Sequence, residues 1–176
     1  MTTYVAFLRA INLGAKRKFP KEAIVAATEA AGFTGVATHI NTGNVRLETR
    51  MRSRARIEAA LEEAYRADRG FDVPTIVYST GELVDVVADA DRFGEGHGGR
   101  HYVWLLKDEP DADLAAALEA SSTGGERVHV GRRAVHLLVD EGYRDARLVG
   151  TVEKRIGVTT NRNVTVLRAL AQKWCS

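Results

Sequence analysis

Cysteine is almost absent from this chain of 176 residues, proline occurs three times, and no apolar run reaches signal-peptide or membrane-spanning length. The lone Cys175 excludes an internal disulfide and any metal site built on cysteines, so a reducing, cytoplasmic setting is expected. Secretion and membrane insertion are not expected. Lysine is scarce beside arginine, alanine and valine, a usage that suits a high-GC bacterial genome. The patterns G-x-x-x-x-G-K-[ST], G-x-G-x-x-G and G-x-S-x-G are missing too. Nucleoside-triphosphate hydrolysis, dinucleotide binding and an activated serine therefore gain no support. No cofactor is expected and no nucleophile is assigned.

What the chain does have is charge sorted along its length. Residues 1–56 hold ten Lys/Arg against three acids, residues 57–141 eight against eighteen, and residues 142–176 seven against two. The net charge of +2 conceals two basic ends around an acidic middle. Both basic ends carry short clusters of Gly, Asn and Thr: residues 9–18 (RAINLGAKRK), 41–44 (NTGN) and 160–163 (TNRN). If the fold brings the ends together, backbone amides, amide side chains and cations converge in one place suited to an anion.

The periodicities give the order β-α-β-β-α-β over residues 1–79. Tyr4 to Leu8 is an apolar strand, and Pro20 opens a helix with Ile24, Val25, Thr28 and Ala31 on one side. Alternation at 36–40 and 45–47 around the 41–44 turn reads as a hairpin in which Ile40 faces Val45 and His39 faces Arg46. A helix from about Ser53 to Asp68, stopped by Gly70, leads to a strand at 73–78. Residues 101–176 repeat this order loosely, with a hairpin in which His129 faces His136 and a helix over about 145–156, but a last helix takes the place of the last strand. The expected class is α+β, two related lobes of split β-α-β (ferredoxin-like) order, the second copy incomplete and ending in a helix. Between them, residues 80–100 hold a helix opening with the capping-box pattern Ser79-Thr80-Gly81-Glu82, then the glycine-rich stretch 94–99, the expected boundary.

Each polar cluster has two readings. Asn12 and Gly14 leave amides pointing outward beside Lys16, Arg17 and Lys18, which suits phosphate or sulfate; the alternative is a solvated basic connection. The 41–44 segment is ordinary turn chemistry unless it lies beside the first loop. Ahead of the final helix, Thr160 or Asn161 is the expected N-cap, with Arg162 and Asn163 in the first turn, where a cation opposes the helix dipole unless an anion or a carboxylate such as Glu153 offsets it. The histidines give little reason to expect a metal: Gly98 and Gly99 break the spacing of Glu95, His97 and His101, and His129 and His136 read as an exposed strand pair. The acidic middle, Glu62, Glu63, Asp85 and Asp89 among it, reads as a solvated surface.

The segments Tyr4–Gly14, 41–45, Glu153-Lys154-Arg155-Ile156-Gly157 and 160–163 resemble the bacterial family known as domain of unknown function 1697, in order and over essentially the whole chain. The resemblance implies a compact α+β protein with two related lobes, and no activity. The family's signature falls here on Arg9, Asn12, Gly14, Lys16, Lys18, Gly43, Asn44, Lys154, Thr160, Arg162 and Asn163. Family members usually read Arg-Gly-Ile-Asn-Val-Gly-Gly where this chain has Ala10, Leu13 and Ala15, and Ser-Gly-Asn where it has Thr42. The leading expectation is a site for a phosphate-bearing small molecule or single-stranded nucleic acid. In it Lys16, Lys18 and Arg162 neutralise charge, Asn12, Asn44 and Asn163 orient the ligand, and Phe19 and Tyr4 are the aromatics near enough to stack. Two other readings stand beside it. One is an enzyme acting on a small phosphorylated or carboxylated metabolite, with a carboxylate or His39 as acid or base. The other is a structural or partner-binding module that self-associates through its opposite charges.

Overall fold

A computed structural model describes all 176 residues. It divides into two compact units, Met1–Leu83 with Cys175, and Val84–Trp174 with Ser176. The first unit contains β1 (Thr2–Leu8), α1 (Lys21–Ala30), β2 (Thr34–His39), β3 (Asn44–Thr49), α2 (Arg54–Arg69) and β4 (Thr75–Ser79). The chain then enters α3 (Thr80–Phe93), within which the division falls. The second unit adds β5 (Arg100–Leu106), α4 (Ala112–Ala120), β6 (Glu126–Val130), β7 (Ala134–Val139), α5 (Leu148–Arg155), β8 (Thr159–Asn163) and α6 (Val164–Trp174).

Each unit has one four-stranded antiparallel sheet, ordered β2-β3-β1-β4 in the first and β6-β7-β5-β8 in the second. The second copy is therefore complete. The missing strand is β8, hidden from periodicity because every side chain of Thr159–Asn163 is polar. Its pairing with β5 sets the alternation: Thr160 and Arg162 share the face of Leu105 and Val103 and are buried, while Asn161 and Asn163 share the face of Trp104 and Tyr102 and are exposed. Neither Thr160 nor Asn161 caps α6. That helix begins at Val164, and Asn163 accepts from the backbone N–H of Thr165 at 2.7 Å.

In the first unit α1 and α2 lay Ile24, Ala27, Ile57, Leu61 and Tyr65 on the sheet face formed by Tyr4, Ala6, Leu8, Val45, Leu47 and Val77. The α2 boundaries follow from local chemistry. Ser53 accepts from Arg56 N–H at the start, and Gly70 takes the left-handed φ of 75° that ends it. The capping box forms reciprocally, Ser79 N–H to Glu82 Oε2 at 2.8 Å and Glu82 N–H to Ser79 Oγ at 3.2 Å. In the second unit Trp104, Leu106, Leu118, Val128, Leu137, Leu148 and Val152 make the corresponding core. The glycine-rich stretch is a packing device in this unit: a Cβ on Gly99 would lie 1.9 Å from the carbonyl oxygen of Val139.

Two hairpin expectations resolve differently. His129 does face His136. In the first hairpin, however, Thr38 pairs with Val45 and Ala37 with Arg46. Ile40 leaves the ladder with φ 51° and stands exposed, because His39 pairs with Asn44 and the four-residue turn is 40–43, one position earlier than expected.

Carboxylates of the acidic middle close a sheet edge. Backbone N–H groups of Thr75, Val77 and Ser79 on β4 donate to Glu62, Glu58 and Glu82 at 2.8–3.0 Å. Glu58 is 3% exposed. These acids satisfy amides that an edge strand otherwise offers to other chains. They are not the solvated surface that the charge pattern suggests. On β6 the amides of Glu126, Val128 and Val130 meet Thr123, Ser122 and Glu119 in the same way.

Candidate functional site

The loop from β1 to α1 is held in place at both ends. Leu8 N–H donates to Gly43 O at 2.8 Å and Arg9 N–H to Pro74 O at 2.9 Å. The hairpin turn therefore lies beside the loop, which makes one polar surface of the first two clusters. Asn12 is the fastener. Its Nδ2 donates to Phe19 O and Asn41 O, its Oδ1 accepts from Phe19 N–H, and its own N–H donates to Arg17 O. Asparagine suits this place because the residue sits at φ 55°. Arg17 braces the same loop, donating to Ala10 O and Asp72 O at 2.6 Å each and lying 4.5 Å over the Phe71 ring.

Gly43 and Asn44 are equally committed to folding. A Cβ at Gly43, whose φ is 74°, would approach Leu8 Cβ to 2.8 Å and Ile11 Cδ1 to 2.9 Å. Asn44 is fully buried and donates to His39 O and Thr42 Oγ1. Phe19 and Tyr4 are core residues, unavailable for stacking. What remains for a ligand is charge. Arg9, Lys16 and Lys18 are exposed, and their side chains make neither an ion pair nor a hydrogen bond within the chain. Leu13 and Ile40 stand exposed at 66% and 49% on the two segments that Asn12 ties together.

In the second unit, Arg162 is 8% exposed, donates from Nη1 to Thr160 Oγ1 and Asn161 O, and has its pKa lowered to about 10 by desolvation. It is a buried strand residue. Lys154 is exposed at the end of α5, and Glu153 accepts from Trp104 Nε1 at 3.0 Å and from no arginine. The residues 9–44 and 154–163 of the expected site thus belong to different units.

Sequence reasoning, which read His129 and His136 as an exposed pair, missed a histidine cluster on the face of the second sheet opposite Trp104 and Leu137. His136 is fully buried, and its Nδ1 lies 3.1 Å from His101 Nε2. Phe93 stacks on His129 at 4.4 Å and meets His136 edge-on at 5.2 Å. Burial, with the neighbouring histidines, lowers His136 to about 3 and His101 to about 4. Both are neutral at pH 7, so the pair shares one N–H between two ring nitrogens. No group of three or more His, Cys, Asp or Glu side chains is placed to hold a metal ion.

A family match settles the chain's kinship. Residues 1–136 match the family described as "Protein of unknown function (DUF1697)". The chain belongs to the DUF1697 family. No curated protein matches. Among solved structures, it is similar to the conserved bacterial protein SP0830 from Streptococcus pneumoniae, with a TM-score of 0.78, 19% identity and 98% of each chain covered. At that identity the likeness is one of fold. No helix of this DUF1697 member is long and apolar enough to cross a membrane.

Proposed function

We infer that this protein binds a phosphate-bearing ligand through the β1–α1 loop of its first unit, with Arg9, Lys16 and Lys18 as the contacting cations. The observation that carries this is the contrast within the loop: Arg17, Asn12 and Asn44 are consumed by internal bonds, while these three exposed cations have no partner in the chain. Unpaired like charges on a braced loop cost repulsion that an anion relieves. Because Tyr4 and Phe19 are buried and Arg17 lies over the Phe71 ring, the loop grips phosphate and not bases, and its affinity is electrostatic. A free nucleotide and a single-stranded nucleic acid both present that chemistry. Each unit reads as a ferredoxin-like split β-α-β, a reading that the strand orders support.

Fluorescence anisotropy with a labelled oligothymidylate, at low and moderate salt, tests the reading, with inorganic phosphate and thymidine monophosphate as competitors. Binding should weaken steeply with salt and fall at least tenfold in the Lys16→Ala/Lys18→Ala protein, with its melting temperature unchanged. Competition by the mononucleotide at equal phosphate concentration identifies a small-molecule site, and its failure to compete identifies the polymer. Equal affinity of wild type and variant would remove the assignment, as would no binding.

A further inference from the structure

The two units share a register that shows which positions correspond. In the first, Tyr4 pairs with Ser79, Ala6 with Val77 and Leu8 with Thr75; in the second, Tyr102 pairs with Asn163, Trp104 with Asn161 and Leu106 with Thr159. The correspondence extends to the loops: Leu8 N–H donates to Gly43 O where Leu106 N–H donates to Arg133 O, and Arg9 N–H to Pro74 O where Lys107 N–H donates to Val158 O. Asn161 therefore occupies the place of Val77, which is fully buried in the first core. The helix that covers Val77 is α2, 16 residues long, whereas its counterpart α5 has eight. The shorter helix meets Trp104 through Glu153 and leaves the end of the β5–β8 face uncovered.

The uncovered end is a cavity of about 410 Å³ lined by Arg100, His101, Tyr102, Asn161, Asn163 and Thr165, within the size range of small-molecule sites. Arg100, Tyr102, Asn161 and Asn163 lie on one sheet face, since residues 100 and 102 have the same parity on β5 and Asn163 and Asn161 pair directly with Tyr102 and Trp104. Arg100 is held in place at two points: Nη1 donates to Tyr102 OH at 3.4 Å and Nη2 to Tyr143 O at 3.2 Å. The Tyr102 ring lies 25° from the plane of Trp104, centroids 6.0 Å apart, which orients it. Asn161 spends neither side-chain amide atom on the protein, and Asn163 spends only Oδ1, on Thr165 N–H.

We propose that this cavity is a second binding site, independent of the loop, that takes a planar heteroaromatic ring carrying an anionic group. The ring lies on Tyr102, the amides of Asn161 and Asn163 meet its polar edge, and Arg100 holds the anion. Aromatic side chains flanked by amides and a guanidinium recognise bases by this division of labour. Asparagine at a position that the first unit fills with a buried valine contributes nothing to packing, so its chemistry is free for a ligand.

Adenosine monophosphate serves as the probe, titrated into ¹⁵N-labelled protein while the Trp104 indole and the Asn161 and Asn163 side-chain amide signals are followed. Those signals should move together along one saturating curve. Adenosine and ribose 5-phosphate, each lacking one half of the ligand, should bind at least tenfold more weakly to the native protein, and so should adenosine monophosphate to Arg100→Gln. Asn161→Ala, at an exposed position with no internal bond, should weaken binding several-fold with the melting temperature kept. Lys16→Ala/Lys18→Ala should leave the curve unchanged. Still signals, equal binding of ribose 5-phosphate and adenosine monophosphate, or loss of the shifts in the loop variant alone would overturn the proposal; the last outcome would leave the loop site standing.

Discussion

The first strand of each unit exits into a loop tethered by the same two backbone hydrogen bonds, yet the loops carry opposite charge. After β1 come Arg9, Lys16, Arg17 and Lys18 with no acid; after β5 come Asp108, Glu109 and Asp111 with one lysine, Lys107. One architecture thus accepts either sign at this place, so the fold does not require Arg9, Lys16 and Lys18. The same comparison separates residues that hold the first loop, Asn12, Arg17 and Gly43, from those that only decorate it. Composition could not make that distinction, because both kinds belong to one polar cluster.

The largest effect should come from making the first sheet resemble the second. Val77→Asn puts an amide into a fully buried position under α2. The lost apolar burial and the unsatisfied amide together should cost about 3 kcal/mol, read from the midpoint of urea unfolding. A loss below about 1 kcal/mol would show that α2 does not seal this face as tightly as the burial indicates.

The buried histidines of the second unit have no counterpart in the first and predict an acid-sensitive half. A lowered pKa means that the unfolded chain binds protons the folded unit refuses. Their contribution is present above the ordinary histidine value of about 6.5 and is lost as pH falls from there toward about 3 for His136 and about 4 for His101. His136, fully buried, contributes a slope of at most about 1.4 kcal/mol per pH unit in that window, to which the less buried His101 adds. Hydrogen exchange at pH 7 and pH 5 should show protection falling in β5 and β7 more than in β1 and β3. Uniform loss, or a His136→Phe protein with the same pH slope, would contradict this origin.

Much of this was legible in the sequence, and the exceptions share a cause. Apolar alternation and capping residues mark the elements from β1 to β7, with Ser53, Gly70 and the Ser79–Glu82 box placing their ends. Strand β8 escaped because Thr159–Asn163 presents polar side chains on both faces, and its strand character is imposed by pairing with β5. The burial of Arg162 and the exposure of Asn161 follow from that pairing, and so does the cavity. The tasks of Glu58, Glu62 and Glu82 escaped for the same reason: a carboxylate that satisfies an edge amide looks in sequence like any solvated acid. The resemblance to DUF1697 fell on the polar clusters that charge and composition had already marked, without distinguishing fasteners from ligand contacts.

A smaller effect concerns backbone strain in the basic loop. Ala10 has φ 57°, in the left-handed region that alanine occupies at a cost. Ala10→Gly should stabilise the protein by about 1 kcal/mol after the greater flexibility of the unfolded glycine is offset, seen as a rise of a few degrees in melting temperature. A fall would mean that the methyl group makes a packing contribution that outweighs the strain.

The smallest effect is the converse of the first substitution. Asn161→Val gives the second sheet the residue that the first sheet buries, but here no long helix lies above it and the asparagine side chain makes no internal hydrogen bond. Valine gains strand propensity and little burial, so stability should stay within about 0.5 kcal/mol of the native protein. Because the energetic effect is near zero, any loss of adenosine monophosphate binding in this variant reports the amide itself. A gain above about 1 kcal/mol would instead show that the face closes over an apolar residue. Asn161 would then be keeping open a surface that the fold is otherwise able to cover.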